Sequence, residues 1–256
     1  MKVTRNIKEK FIIELDSKKN SRGDIKDYFS NFIRNFSRSY VLFLFVKEKS
    51  DDEEVKKTAL AQHIVSLISI CETFFRDIFI FIVNIDSQFK EEIITSYNLR
   101  IKSSVPDIQV NIEDVLCEFF NFQNIIDIEL AFKPTIIGEN FFDDIGNIVL
   151  PFYSHKEDTI RKFCLNVSIA NWKELFDEII KERHNITHDA NYITRLDVNL
   201  FERYQKTILY FPQVFSLWVS LKYKLPYIAL HIGDKGNIPF ICQLEELLDD
   251  WELVKD

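Results

Sequence analysis

One stretch constrains what this chain can become more than any other. Ser50-Asp51-Asp52-Glu53-Glu54 is an acidic helix-start signal, favourable at the positive end of a helix dipole. The helix predicted after it runs to about Val83 and is apolar on most sides: Leu60, Ile64, Leu67, Ile68, Phe74, Phe75, Ile78, Phe79 and Ile82. Such a helix belongs at the centre, with other helices around it. The 256 residues contain 5 Gly and 6 Pro, which favours long helices over turn-rich β architecture, and 46% hydrophobic residues, enough for a sizeable core. The length fits one large domain, or a domain with a small appendage.

Other helices follow from the same periodicity. One starts after Asp24, a candidate cap, with Ile25, Phe29, Phe32, Ile33, Phe36, Tyr40 and Phe43 on one face. Arg34 and Arg38 lie off that stripe and read as a solvated face. Between 87 and 170 the pattern is less regular, with short helices expected near 88–98, 112–121 and 123–131, separated by Pro106, Pro134, Gly138, Gly146 and Pro151. Asn171 is read as the cap of an amphipathic helix carrying Trp172, Leu175, Phe176, Ile179 and Ile180. A long helix over about 196–222 contains Pro212, which is expected to kink or break it. Residues 228–241 read as a β-hairpin around Gly233–Asn237, and the acidic segment 244–254 as a short helix. The organisation expected is therefore a helical domain over 1–225, with an N-terminal extension (1–50) and an irregular helical insertion (about 87–170), followed by a hairpin-plus-helix appendage over 226–256.

Bulk chemistry narrows the function. The net charge of −8 excludes indiscriminate nucleic-acid binding, so any contact with RNA is local. Cys71, Cys117, Cys164 and Cys242 form no CxxC pair and read as reduced core thiols. The N-terminus leads into no signal-peptide core, and the longest apolar runs, 40–46 and 78–83, are far short of a membrane span. A soluble cytoplasmic protein with no membrane contact is the expectation.

The chemistry concentrates at the end of the helix after Asn171, in Glu182-Arg183-His184-Asn185-Ile186-Thr187-His188-Asp189, which holds two of the 5 His. Arg183 follows Ile179 by one helical turn, so it emerges from the core-facing stripe, where an arginine is costly without a partner or a cleft. Arginine binds phosphate as a fixed fork and imidazole moves protons near neutral pH, and phosphodiester cleavage needs both. Glu72, one turn before Arg76 on the central helix, reads either as half of an ion pair or as a carboxylate facing a cleft.

The segment 175–188 resembles the signature of the HEPN superfamily: an arginine, a polar residue after it, and a histidine further along the same helix end. The helix 59–83, with its acidic Glu72, is similar to the early helix of stand-alone HEPN proteins. The resemblance spans about 55–90 and 170–223. It implies an all-α, HEPN-like bundle and a metal-independent endoribonuclease of the toxin or antiviral-defence kind. It also implies a homodimer, with two copies of the motif meeting across a two-fold axis. Carried onto this chain, Arg183 and His188 are the catalytic pair, His184 holds the polar position, and Glu72 orients the site. Asn185 and Lys181 are the candidates for substrate contact. No metal and no cofactor are called for, and RNA, a second copy and an antitoxin or defence-system protein are the expected partners. Some family toxins carry a modified tyrosine two residues after the histidine; here that residue is Ala190, with Tyr192 nearby.

Three other readings use the same residues. His184 and His188, one turn apart, form half of a metal site. His188-Asp189 with His155 and Asp197 or Asp234 suits a metal-dependent phosphohydrolase. A non-catalytic interaction module needs Arg183 only to tie helices together. His63 reads as a packed core histidine, and His155 and His231 as loop or hairpin residues without companions.

Overall fold

The computed structural model describes residues 25–96, 116–135, 140–154, 159–189, 191–194, 198–231, 236–244 and 247. The candidate cap Asp24, residues 112–115 of the expected helix 112–121, Ala190, His155, Asp197, Asp234 and nearly all of the expected terminal helix lie outside them; in the described remainder of 112–121, Leu116 and Cys117 are helical and 118–119 form a turn. The architecture is mainly helical, with two small antiparallel sheets.

Helix α1 (Ile25–Lys49) buries the stripe read from its periodicity, from Ile25 through Phe32 and Phe36 to Phe43. Helix α2 (Glu53–Ile85) starts where the Asp52 carboxylate accepts hydrogen bonds from the backbone N–H of Glu54 (2.8 Å) and Val55 (3.4 Å). It is the central element, packed on α1 and also on the helices over Trp172–His188 and Val198–Lys222. Helix α3 (Ser87–Ser96) follows, its Phe89 N–H held by Asp86, whose other oxygen accepts from Tyr223 at 2.8 Å. Residues 25–49 are thus part of the same core as α2, not a layer outside it.

The region 116–170 is more varied than its sequence pattern. Helix α4 (Ile125–Phe132) is capped by Asn124, whose side chain accepts from Ile126 N–H at 2.8 Å. Helix α5 (Phe141–Asn147) and the single turn α6 (Leu165–Ser168) flank a hairpin of β1 (Leu150–Ser154) and β2 (Thr159–Phe163), paired from Leu150 with Phe163 to Ser154 with Thr159. Strands here correct the all-helical reading of this region. Phe152 and Phe163 meet edge to face (5.9 Å), and both belong to the apolar core of the bundle, which packs the hairpin in place.

Helix α7 (Trp172–His188) begins at Asn171, but not by the capping expected: Asn171 is in the left-handed region (φ 58°) and its side chain makes no cap bond. Asparagine tolerates that conformation, which turns the chain into the helix. Helix α8 (Val198–Lys222) runs through Pro212 without a break, since Phe211, Val214 and Phe215 on both sides are fully buried. The expected C-terminal hairpin is present as β3 (Ala229–His231) and β4 (Asn237–Pro239), with Gly236 at a positive φ of 74°. It packs beside β1, and Ile241, Cys242, Leu244 and Leu247 are buried in the common core.

Phenylalanine makes that core. Phe75 of α2 meets Phe132 of α4, Phe176 of α7 and Phe211 and Phe215 of α8, with ring centroids 5.1–6.4 Å apart. Each fully buried ring contributes about 2 kcal/mol by area alone. No helix among the described residues is long and apolar enough to cross a membrane.

Candidate functional site

Helix α7 lays Trp172, Leu175, Phe176 and Ile179 into the core. Continuing that stripe by one turn brings Arg183 to the surface edge, half-buried, as its position after Ile179 requires. The last turn then carries His184 and His188 on exposed positions, their rings 4.4 Å apart and tilted by 42°. Thr187 stabilises this turn, its hydroxyl donating to the Arg183 carbonyl at 3.0 Å, and α7 ends at Asp189, whose N–H bonds to the Asn185 carbonyl.

An open cleft of about 600 Å³ lies against this helix end. One wall is α7, contributing Ile180, Arg183, His184, Asn185 and His188, with Asp177 and Lys181 at its rim. The other wall is the segment leading into α4, with Asn121, Gln123, Asn124, Ile125 and Ile126. Arg183, His184, His188, Asn185 and Lys181 therefore share one opening.

Pairing separates these groups. Lys181 is held by Asp177 at 2.5 Å, a contact that raises the lysine pKa. Glu182 accepts from Tyr192 at 2.6 Å and from Thr194, which fastens the following loop back onto α7. Glu178 accepts from Tyr204 at 3.2 Å. Arg183 stands apart: among the described residues its side chain has no hydrogen-bond or ion-pair partner, and its Nε is buried without one.

Glu72 does not line the cleft. It pairs with Arg76 at 3.5 Å, and Arg76 also reaches Glu118 at 3.2 Å, so the ion-pair reading describes its position on α2. Its second oxygen accepts from the side-chain amide of Gln123, so it reaches the cleft wall through one intervening residue. No local sequence pattern marks that wall as part of a site. Asn121-Phe122-Gln123-Asn124 carries turn and cap chemistry, and nothing in it points towards α7.

His63 and the cysteines are accounted for as packing. His63 is 3% exposed, stacked on Phe43 at 5.2 Å, with one ring nitrogen 2.7 Å from Ser39 Oγ and the other 3.2 Å from Gln205 Nε2. Cys71, Cys117 and Cys242 are buried and Cys164 is half-buried, none of them joined in a disulfide. Among the described residues no group of three or more His, Cys, Asp or Glu side chains is placed to hold a metal ion. Compared with protein-family models, curated proteins and solved structures, the chain matches none.

Proposed function

We propose that this chain is a metal-independent endoribonuclease of the HEPN kind, acting as a homodimer in a toxin or antiviral-defence role. One observation carries the reading: Arg183 is half-buried on a cleft wall with its Nε desolvated and no partner among the described residues. An unmet buried donor costs about 1–3 kcal/mol, which a protein tolerates where a ligand completes the bonding. An arginine kept only to tie helices together would have a carboxylate or carbonyl against it, as its neighbours Lys181 and Glu182 have partners.

In the reaction, one imidazole takes the proton of the ribose 2′-hydroxyl, and O2′ attacks phosphorus. A second imidazole protonates the departing 5′-oxygen as the P–O5′ bond breaks, leaving a 2′,3′-cyclic phosphate and a 5′-hydroxyl. Arg183 holds the charge gathering on the non-bridging oxygens. The attacking and leaving oxygens lie on opposite sides of phosphorus. His184 and His188 lie side by side on one wall of one copy, so they serve one side, and a second copy supplies the groups for the other. Glu72 acts as a positioning residue behind the wall.

The test is purified protein on RNA and DNA of the same sequence, with EDTA, beside Arg183→Ala and His188→Ala. RNA alone is cut, EDTA has no effect, the ends are 5′-hydroxyl, and each variant loses roughly 10²–10⁴-fold. Cleavage of DNA, or loss of activity in EDTA, sinks the proposal, since DNA has no 2′-hydroxyl.

A further inference from the structure

We infer that the wall opposite the histidines reads the base beside the scissile phosphate, and that it selects unpaired pyrimidines. This rests on the ribonuclease reading above and deepens it. The wall carries three side-chain amides whose orientations are determined by chemistry. Asn121 Oδ1 accepts from Gln123 N–H at 3.1 Å, and Asn124 Oδ1 accepts from Ile126 N–H at 2.8 Å. A backbone N–H can only donate, so in both residues the carbonyl is used and the NH₂ group remains for a ligand. Gln123 is the reverse. Its NH₂ donates to Glu72, a carboxylate already facing Arg76, and its Oε1 remains.

Among the described residues, the groups left to the cleft by these amides are therefore the two asparagine NH₂ groups and the Gln123 carbonyl, with the second N–H of Gln123 beside it. The pairing edge of uracil offers two acceptors and one donor, and so does that of cytosine. Adenine and guanine each offer one acceptor there. A pyrimidine edge can engage both asparagine NH₂ groups through its two acceptors and offer its donor to Gln123 Oε1, uracil from the N3–H between the acceptors and cytosine from the N4 amino group at the end of the edge; a purine, with one acceptor, engages only one of the two NH₂ groups. Ile126, 61% exposed on the same wall, and Ile180 across from it supply apolar surface for the face of the ring. A base paired in a duplex cannot turn its edge to such a wall, so the substrate is a single-stranded loop or end.

Glu72 has a specific task in this arrangement. It prevents the Gln123 amide from flipping, which would turn an acceptor into a donor. That role is positioning, and its signature is base preference rather than overall rate.

The experiment uses DNA oligonucleotides with a single ribonucleotide, U, C, A or G, cut by the full chain. The expected result is cleavage at U and C roughly tenfold faster than at A and G, the size of one unmet hydrogen bond. Gln123→Met, nearly isosteric, and Glu72→Gln each shrink that ratio to about threefold or less, with thermal unfolding checking that they fold. Equal cleavage at all four bases by wild type, with Arg183→Ala inactive, overturns the base-reading wall and leaves the nuclease reading intact. If nothing is cut, binding of 2′-fluoro oligonucleotides decides. A pyrimidine preference lost in Gln123→Met upholds the wall while the nuclease reading falls; no preference overturns the wall.

Discussion

Arg183 and His63 show what burial does to two cationic residue types. Arg183 keeps a desolvated Nε with nothing described against it. Arg183→Met retains the aliphatic stem and removes that unmet donor. The variant is expected to be at least as stable as wild type in urea denaturation, whereas a bracing arginine would cost stability on removal. His63 is the opposite case, satisfied by Ser39 and Gln205 and enclosed by Phe36, Tyr40, Phe43 and Phe201. The Gln205 amide donates to one ring nitrogen, so the neutral ring carries its proton on the other, towards Ser39. Burial lowers its pKa from 6.5 to about 3, with hydrogen bonding to Ser39 opposing. The unfolded chain therefore takes up a proton below pH 6.5 that the folded one refuses until about pH 3. The stability contribution is complete above the upper value and is lost progressively as pH falls towards the lower one. Between pH 7 and pH 5 this group alone removes about 2 kcal/mol, and His63→Phe should show a correspondingly shallower pH dependence of unfolding.

Among the elements, the start of α7 matters because it aims everything downstream. Asn166 of α6 accepts from the Trp172 indole at 2.7 Å and donates to Asn147 of α5 at 2.9 Å, joining three helices at one side chain. Gly146 makes room for it: a Cβ there would sit 2.6 Å from Asn166 Oδ1. Gly146→Ala is expected to cost about 1–3 kcal/mol by displacing this bracket, read by thermal unfolding. The accompanying fall in RNA cleavage should be small if α7 is also anchored by Leu175, Phe176 and Ile179 in the core. Of these helices only α7 was legible from its apolar periodicity, because it buries one long face; α5 and α6 are too short to show a period. The hairpin β1–β2 was not, since its burial comes from a bundle surface that no local pattern reports.

For the whole molecule, the division between domain and additions dissolves into one core. Phe32 of α1 touches Phe74 of α2 at 5.3 Å, and Gln213 of α8 accepts from Cys242 N–H at 2.7 Å and donates to its carbonyl at 3.0 Å. A fragment beginning at residue 50 loses the α1 partner of the central helix. It is expected to show no cooperative unfolding transition, which circular dichroism with urea would establish. A stable, cooperatively folding fragment would make residues 25–49 dispensable. Dimerisation belongs to this scale too: light scattering should report twice the chain mass under conditions where RNA is cut, and a strictly monomeric active enzyme would remove the composite cleft.

By itself the amino-acid order determined the central helix, the amphipathic helix that delivers Arg183, the packed His63 and the C-terminal hairpin, because local periodicity and turn chemistry report which face is buried. It also brought Arg183 and the two nearby histidines forward from residue type, while the pairing of Arg183 with His188 came from the HEPN resemblance. Only the tertiary structure decided that Asn121, Gln123 and Asn124 stand across from them, that Glu72 acts through Gln123, and that Arg183 is left unpaired. Those facts depend on contacts between segments some fifty or more residues apart, and the free energy of such contacts is set by the shared core rather than by any neighbourhood in the chain.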